Sequence, residues 1–347
     1  MRKKEINSIC YKVKTSDAEK IRRLLLKKNL LKEYLYILKN KFYVYFPIKK
    51  VTNDLNSYEL TDKKFEIKVN RINSYKDMTN VPEKIKKLLP TSFDRVGDII
   101  LIKLNQDSTK YKTQIGNALL EINKSIKTVY NVKSVSGEFR TRDIELIAGL
   151  DKTTTLHKEF GLSLRVDVSK TYFSPRLANE RNRISTIVKN DEVVLDMFTG
   201  VAPFSIMIAR YANPKIVYSV DKNKNAIKYA LENVRLNKVL DKIQLLNIDA
   251  EKVSKYVPEK VDRIIMNLPF SSFSFFRNAL EISKNISIIH YYDILKIDEI
   301  DKRIIYLEKE AKKYNYQIKI NKIRKIKSYS PREFYIGMDI TATKMPT

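Results

Sequence analysis

From about residue 190 onward, short runs of β-branched and apolar residues alternate with segments whose apolar positions recur at helical spacing. The runs at 193–198, 216–220, 243–248, 263–266 and 286–291 read as strands, with helices at 225–236 and 300–312 between them. Late runs at 316–320 and 334–340 close the array as a hairpin. Strand and helix in alternation predict a parallel sheet wound with helices. Upstream, 9–13 reads as a strand, Ser16 and Glu19 have the spacing of a capping box, and Ile21, Leu24, Leu25 and Leu26 line one side of the helix that follows. The strand at 42–48 contains Pro47, which argues for an edge or an end. A middle stretch carries a short helix at 82–90, strands at 99–104, 129–135 and 164–168, and a helix at 114–123 with Ile115, Ala118, Leu119 and Ile122 on one face. The expected division is therefore 1–67, 68–170 and 171–347, with no internal repeat.

The stretch Asp196-Met-Phe-Thr-Gly-Val-Ala-Pro-Phe-Ser-Ile206 reads as strand, tight loop and helix, the place where open α/β sheets hold ligands. Phosphate-binding fingerprints are missing: there is neither G-x-G-x-x-G nor G-x-x-x-x-G-K-[ST]. An acidic strand tip and a single Gly200 suit a cofactor without phosphate, and S-adenosylmethionine fits; an ordinary βα turn is the plainer alternative. Later strand ends add weight. Asp221 is placed for a ribose diol, Asp249 for an adenine amino group, and Asn267, in Asn-Leu-Pro269, offers a donor and an acceptor on a turn fixed by proline.

Sixty-seven Lys and Arg against 40 Asp and Glu give a formal charge of +27, an excess that attracts polyanions. Nucleic acid is the leading partner, and a lysine-rich solubilising surface is the alternative. No apolar run reaches membrane-spanning length and no secretory signal opens the chain, so a cytoplasmic protein is expected. Cys10 is the only cysteine, which rules out an intrachain disulfide and a cysteine-built zinc site; no metal site is expected.

Two basic clusters remain. Arg140 and Arg142 lie in one extended stretch and so point to one side; surface pairing with Glu138, Asp143 or Glu145 is the simpler account. Ser174 and Pro175 are suited to N-cap and first turn of a helix, which puts Arg176 and Glu180 four apart on one face. His290, at a strand end, reads as a core or capping residue.

Together the blocks Gly137-Glu-Phe-Arg-Thr-Arg142, Tyr172-Phe-Ser-Pro-Arg-Leu-Ala-Asn-Glu-Arg181, Asp196–Ser205, Met266-Asn-Leu-Pro269, His290-Tyr-Tyr292 and Lys327-Ser-Tyr-Ser-Pro-Arg-Glu333 resemble the archaeal and eukaryotic tRNA (guanine-37 N1)-methyltransferases. The resemblance implies a class I methyltransferase, Rossmann-like α/β sheet preceded by two smaller α/β domains. It implies a docking domain for the tRNA outer corner at 1–67, a middle RNA-binding domain at 68–170 that contributes Arg140, and a catalytic domain at 171–347 acting on the anticodon loop as a monomer. It further implies Glu180 as general base, Arg140 as donor to O6, and Asn267 orienting the base edge. Asp221 would hold the cofactor's ribose and Asp249 its adenine, while Asp196, Phe198, Gly200, Pro203, Tyr172 and Arg176 complete the cofactor set. One departure stands out: the loop usually reads G-x-G-P, and here Ala202 takes the second glycine's place. Aminocarboxypropyl transfer to a wyosine precursor, methylation of such a precursor, and a non-catalytic tRNA-binding protein are the alternatives.

Overall fold

A computed structural model describes residues 5–67, 74–137 and 141–346. The chain divides into two compact units, 1–73 and 74–347.

In the first unit, β1 (Glu5–Lys14) is followed by α1 (Ala18–Lys27), β2 (Leu38–Lys39), β3 (Tyr43–Pro47) and β4 (Glu59–Glu66), in sheet order β2-β3-β1-β4. All the pairings are antiparallel. Pro47 is the last residue of β3, an interior strand, so of the two expected places it takes the end. The expected capping box does not form. Asp17 is the N-cap and makes no side-chain cap bond, while Glu19 pairs with Arg22 and Arg23 one turn on.

The second unit begins with short helices at Tyr75–Met78 and Glu83–Leu88, followed by β5 (Asp94–Val96), β6 (Ile99–Ile102), α2 (Lys112–Ile122), β7 (Thr128–Ser136) and β8 (Thr141–Gly149), whose strands form a sheet in chain order. A two-stranded hairpin follows, β9 (Thr154–Glu159) and β10 (Leu162–Asp167). Then come α3 (Ala178–Ile187), β11 (Val193–Asp196), α4 (Pro203–Tyr211), β12 (Ile216–Val220), α5 (Lys224–Leu236), β13 (Ile243–Leu246) and β14 (Val261–Met266). The chain finishes with α6 (Phe276–Ile282), β15 (Ser283–Leu295), α7 (Ile300–Lys313), β16 (Tyr316–Ser328) and β17 (Phe334–Lys344).

These last strands build a seven-stranded sheet in the order β13-β12-β11-β14-β15-β17-β16. The first five run parallel and β17 is antiparallel to both its neighbours, as the hairpin reading expected. Burial on both faces explains the apolar stretches Val193–Leu195 of β11 and Ile264–Met266 of β14. Within β11, Val193 and Leu195 join Met266, Phe276, Tyr291 and Leu307 on one side, and Val194 joins Phe204, Ile208, Val234 and Ile265 on the other. The strand order reverses between β11 and β14, which opens a crevice at their carboxyl ends.

The boundary expected near residue 170 falls inside a continuous core. Val96, Ile99, Leu101 and Tyr130 of the smaller sheet share one apolar cluster with Leu162, Leu164, Val194 and Phe204. Side-chain amides fasten the hairpin to α5: buried Asn233 accepts from Arg165 N at 2.6 Å and donates to Arg165 O at 3.0 Å, and Asn237 treats Ser163 the same way at 3.0 and 2.8 Å. These asparagines serve β10 as a neighbouring strand would, satisfying backbone groups along its open edge.

Candidate cofactor and acceptor site

A cavity of 580 Å³ lies over the switch point. Of the expected cofactor residues, Tyr172, Phe198, Gly200, Pro203, Asp221, Asp249 and Asn267 all line it. The loop after β11 brings them together. Gly200 has φ +58, and a Cβ there would meet Tyr172 O at 3.5 Å, so backbone conformation rather than lack of room calls for glycine. Its N–H donates to Asp221 Oδ2 at 2.7 Å, while Asp221 Oδ1 accepts from Asn223 N at 2.8 Å. Burial pushes the Asp221 carboxyl up, against the pull of those two backbone donors. Asp249 caps the turn after β13, accepting from Glu251 N at 3.0 Å, and pairs with Lys222 at 3.1 Å. Asn267 stands at the end of β14, and Tyr335 donates its hydroxyl to Oδ1, leaving the amide NH2 to offer to a base.

Two expected cofactor contacts lie elsewhere. Asp196 is fully buried beneath the loop, where Oδ2 accepts from Thr199 Oγ1 at 2.9 Å and Ser205 Oγ at 2.8 Å. Desolvation pushes its carboxyl up to about 6 despite those hydroxyls. It shapes the loop from below and is absent from the described cavity lining. Arg176 likewise does not line the cavity; its Nε meets Asp94, a residue of β5, at 2.5 Å, in place of the expected pairing with Glu180.

Ala202, where the family resemblance leads one to expect glycine, has φ +65 and caps α4 with Pro203 as its first residue. Left-handed alanine costs ~1–2 kcal/mol. Its fully buried methyl returns ~0.8 kcal/mol and the stiffer unfolded chain ~0.4–1 kcal/mol, so the terms nearly cancel. Ala202→Gly should therefore shift the thermal unfolding midpoint by no more than about 4 °C in either direction. A larger rise in calorimetry would mean the strain is not offset.

Glu180 lies on α3, is 6% exposed and does not line the cavity. Arg183 grips it with two bonds, Nε to Oε2 at 2.9 Å and Nη2 to Oε1 at 2.6 Å, and Tyr292 donates to Oε1 at 2.9 Å. Arg183 also contacts both oxygens of Asp339 at 3.1 Å, which in turn meets Arg324 at 2.6 Å and His290 Nδ1 at 2.7 Å. Arg263 Nη1 lies 2.8 Å from His290 Nε2, and because a guanidinium can only donate, His290 must be neutral with its proton on Nδ1 toward Asp339. Burial pushes His290 down in agreement, and its core role is the expected one. For Asp339, burial alone would raise the carboxyl, but the bonds from His290 and Arg324 and the Arg183 charge hold it well below the carboxylate range. Between Glu180 and Asn267 stand Tyr292 and Tyr335, with ring centroids 6.1 Å apart.

Arg140 and Glu138 lie outside the described residues. Arg142 is buried, donates to Phe173 O at 2.7 Å and lies 5.4 Å from the Tyr172 ring centroid. Glu145 pairs with Lys112 and Lys133. Arg181, not among the expected site residues, lines the cavity while its guanidinium holds Glu159 Oε1 at 2.6 Å and Oε2 at 2.5 Å, both partners buried. Phe173, Lys222, Phe270 and Tyr329 are further lining residues that no sequence motif singled out as ligands. Among the described residues no cluster of metal-ligating side chains occurs, and no helix is long and apolar enough to cross a membrane.

The cavity thus offers acidic acceptors at two strand ends, aromatic walls and an amide at a third strand end. Carboxylates at the ends of β12 and β13 repel phosphate and suit a diol and an amine.

Comparison with known proteins agrees with that chemistry. Residues 155–319 match the TRM5/TYW2 methyltransferase domain, 78–153 the TYW2 N-terminal domain and 10–56 the tRNA methyltransferase 5 N-terminal domain. The first match begins at the hairpin, the element fastened to α5. The chain is 36% identical, over 96% of its length and 98% of the relative's, to the tRNA (guanine(37)-N(1))-methyltransferase Trm5b of Pyrococcus abyssi. It is 34% identical, over 76% of its length and 94% of the relative's, to a tRNA(Phe) (4-demethylwyosine(37)-C(7)) aminocarboxypropyltransferase of Pyrococcus horikoshii. A solved complex of aTrm5 with tRNALeu superposes with a TM-score of 0.70 at 36% identity, covering 96% of this chain and 99% of that one.

Proposed function

Since the chain belongs to the TRM5/TYW2 methyltransferase family, we propose that it is a tRNA (guanine-37 N1)-methyltransferase using S-adenosylmethionine. The observation that carries this reading is the near full-length match to Trm5b, N-terminal unit included, against 76% coverage by the aminocarboxypropyl relative.

When bound, S-adenosylmethionine supplies an electrophilic methyl on a sulfonium that leaves as a neutral thioether. Asp221 accepts from the ribose hydroxyls and Asp249 from the adenine amine, while Phe198, Gly200, Pro203 and Tyr172 frame the methionine end. Holding donor and acceptor in line is most of the catalytic work. Guanine N1 carries a proton and is a poor nucleophile, so its deprotonation must accompany methyl arrival, and negative charge gathers on O6. Asn267 aligns the base edge with its amide. Arg140, carried over from the family motif, donates to O6 and stabilises that charge. Glu180 takes the proton. To do so its carboxylate leaves Arg183, and the guanidinium keeps Asp339 as a partner, which lowers the cost of release.

N1 lies on the Watson–Crick edge, so the acceptor has to be an unpaired loop base swung into the pocket. Residues 1–67 serve as the tRNA outer-corner docking part, 68–170 as the RNA-binding part and 171–347 as the catalytic part of a cytoplasmic monomer.

Two preparations of cofactor, labelled on the methyl or on the carboxyl carbon, discriminate the family's two transfers. Methyl label alone should enter tRNA; carboxyl label in tRNA would assign the chain to the aminocarboxypropyl reaction instead.

A further inference from the structure

The turn that follows Asn267 is closed by Ser271 N donating to Leu268 O at 3.1 Å, so its four residues are Leu268, Pro269, Phe270 and Ser271. Proline second with a positive φ third is the signature of a type II turn, whose third position calls for glycine or asparagine. Phenylalanine stands there at φ +78. Buried Ser272 fixes the turn from behind, its hydroxyl 3.0 Å from both Met266 O and Leu268 O. A bulky side chain in the left-handed region is strained, and such strain gathers at functional sites.

The side chain is not used to fill a core. Phe270 is 52% exposed and Tyr329 is 51% exposed. Their rings meet edge to face at 5.3 Å, and both line the same cavity as Asn267. A glycine would make the turn without strain, so the ring is kept for what it presents to the cavity.

We propose that Phe270, braced by Tyr329, is a substrate-positioning residue that stacks on the extruded nucleobase and holds its edge against Asn267. This rests on the reading above that the acceptor is a base drawn out of an RNA loop. Two aromatic rings at right angles offer one face for a purine to lie on and one ring to keep that face upright, and base–aromatic stacking tolerates any base while limiting its tilt. Phe270 follows Asn267 by three residues, on the turn that begins at the next position, which singles out the flipped base itself over its loop neighbours. Stacking supplies the plane of the base; Asn267 reads its edge.

The test uses the full-length protein and an anticodon stem-loop RNA carrying 2-aminopurine at position 37, together with the unmodified tRNA. Phe270→Gly removes the ring and relieves the turn. It should unfold at the wild-type temperature or above it and bind S-adenosylhomocysteine within about twofold of wild type. It should also lose the fluorescence change of 2-aminopurine 37, and fall by roughly tenfold or more in kcat/KM for tRNA. Phe270→Trp should restore both signals, which a merely structural role does not predict. Phe270→Gly with wild-type turnover and fluorescence overturns the proposal, as does a fluorescence change confined to probes at positions 36 or 38. Should the wild-type protein methylate some other nucleotide, the functional reading fails, and the same fluorescence comparison with the probe moved to that nucleotide still decides whether Phe270 stacks on the acceptor.

Discussion

Glu180→Gln should lower the single-turnover rate of methyl transfer by roughly a hundredfold or more, with tRNA and S-adenosylmethionine binding close to wild type. Glutamine keeps the shape and can still accept from Tyr292, but it cannot take a proton from N1. It also takes one of two carboxylates away from Arg183. Stranding a buried charge costs about 3–5 kcal/mol, but Asp339 stays in contact with both of its Nη atoms, so the loss should be well below that. Stability and chemistry therefore separate. If Glu180 is only an ion-pair partner, the variant will melt lower but turn over normally per folded molecule. Tyr292→Phe is the companion measurement: it removes a 2.9 Å bond to Oε1 and leaves the carboxylate, so its rate should drop far less than that of Glu180→Gln.

Asp221→Ala should weaken S-adenosylmethionine binding by about a hundredfold. A hydrogen bond to a charged group contributes about 1.5–3 kcal/mol, and two ribose hydroxyls lose theirs, with part of the loss returned because the carboxylate no longer has to be desolvated. The same substitution removes the acceptor of Gly200 N, so the loop loses a 2.7 Å tether exactly where the cofactor's methionine end has to be framed. Isothermal titration measures the effect; an affinity within threefold of wild type would remove Asp221 from the ribose role. Asp221→Asn, which keeps an oxygen for Gly200 N, should fall between the two.

Much of this architecture was legible because parallel strands buried on both faces must be apolar throughout and must end where the sheet meets solvent. That is why Asp221 and Asn267, each the first residue past its strand, and Asp249, in the turn just after β13, are legible in the sequence, and all three line one cavity. Direction was not legible. Asp196 ends its strand in the same way, yet it turns under the loop to Thr199 and Ser205, because periodicity names the element and not the side on which a terminal carboxylate folds. Partners distant in sequence were hidden too: Arg176 chooses Asp94, 82 positions away, over Glu180 one turn ahead, and Glu180 chooses Arg183. The pairing of Arg181 with Glu159 and the fastening of the hairpin by Asn233 depend on packing between elements, which no local pattern encodes. Phe270 is instructive in the opposite sense. Its residue type contradicts its turn position, and that conflict becomes visible only when the backbone angle is known.

Nuclease digestion of tRNA after one round of labelled methyl transfer, with each nucleoside assigned by mass spectrometry, tests the central claim most directly. The label should appear in 1-methylguanosine at position 37 and nowhere else, and should vanish when that guanosine is replaced by adenosine. Label on another atom of the base, on another nucleotide, or retained after the replacement would contradict it.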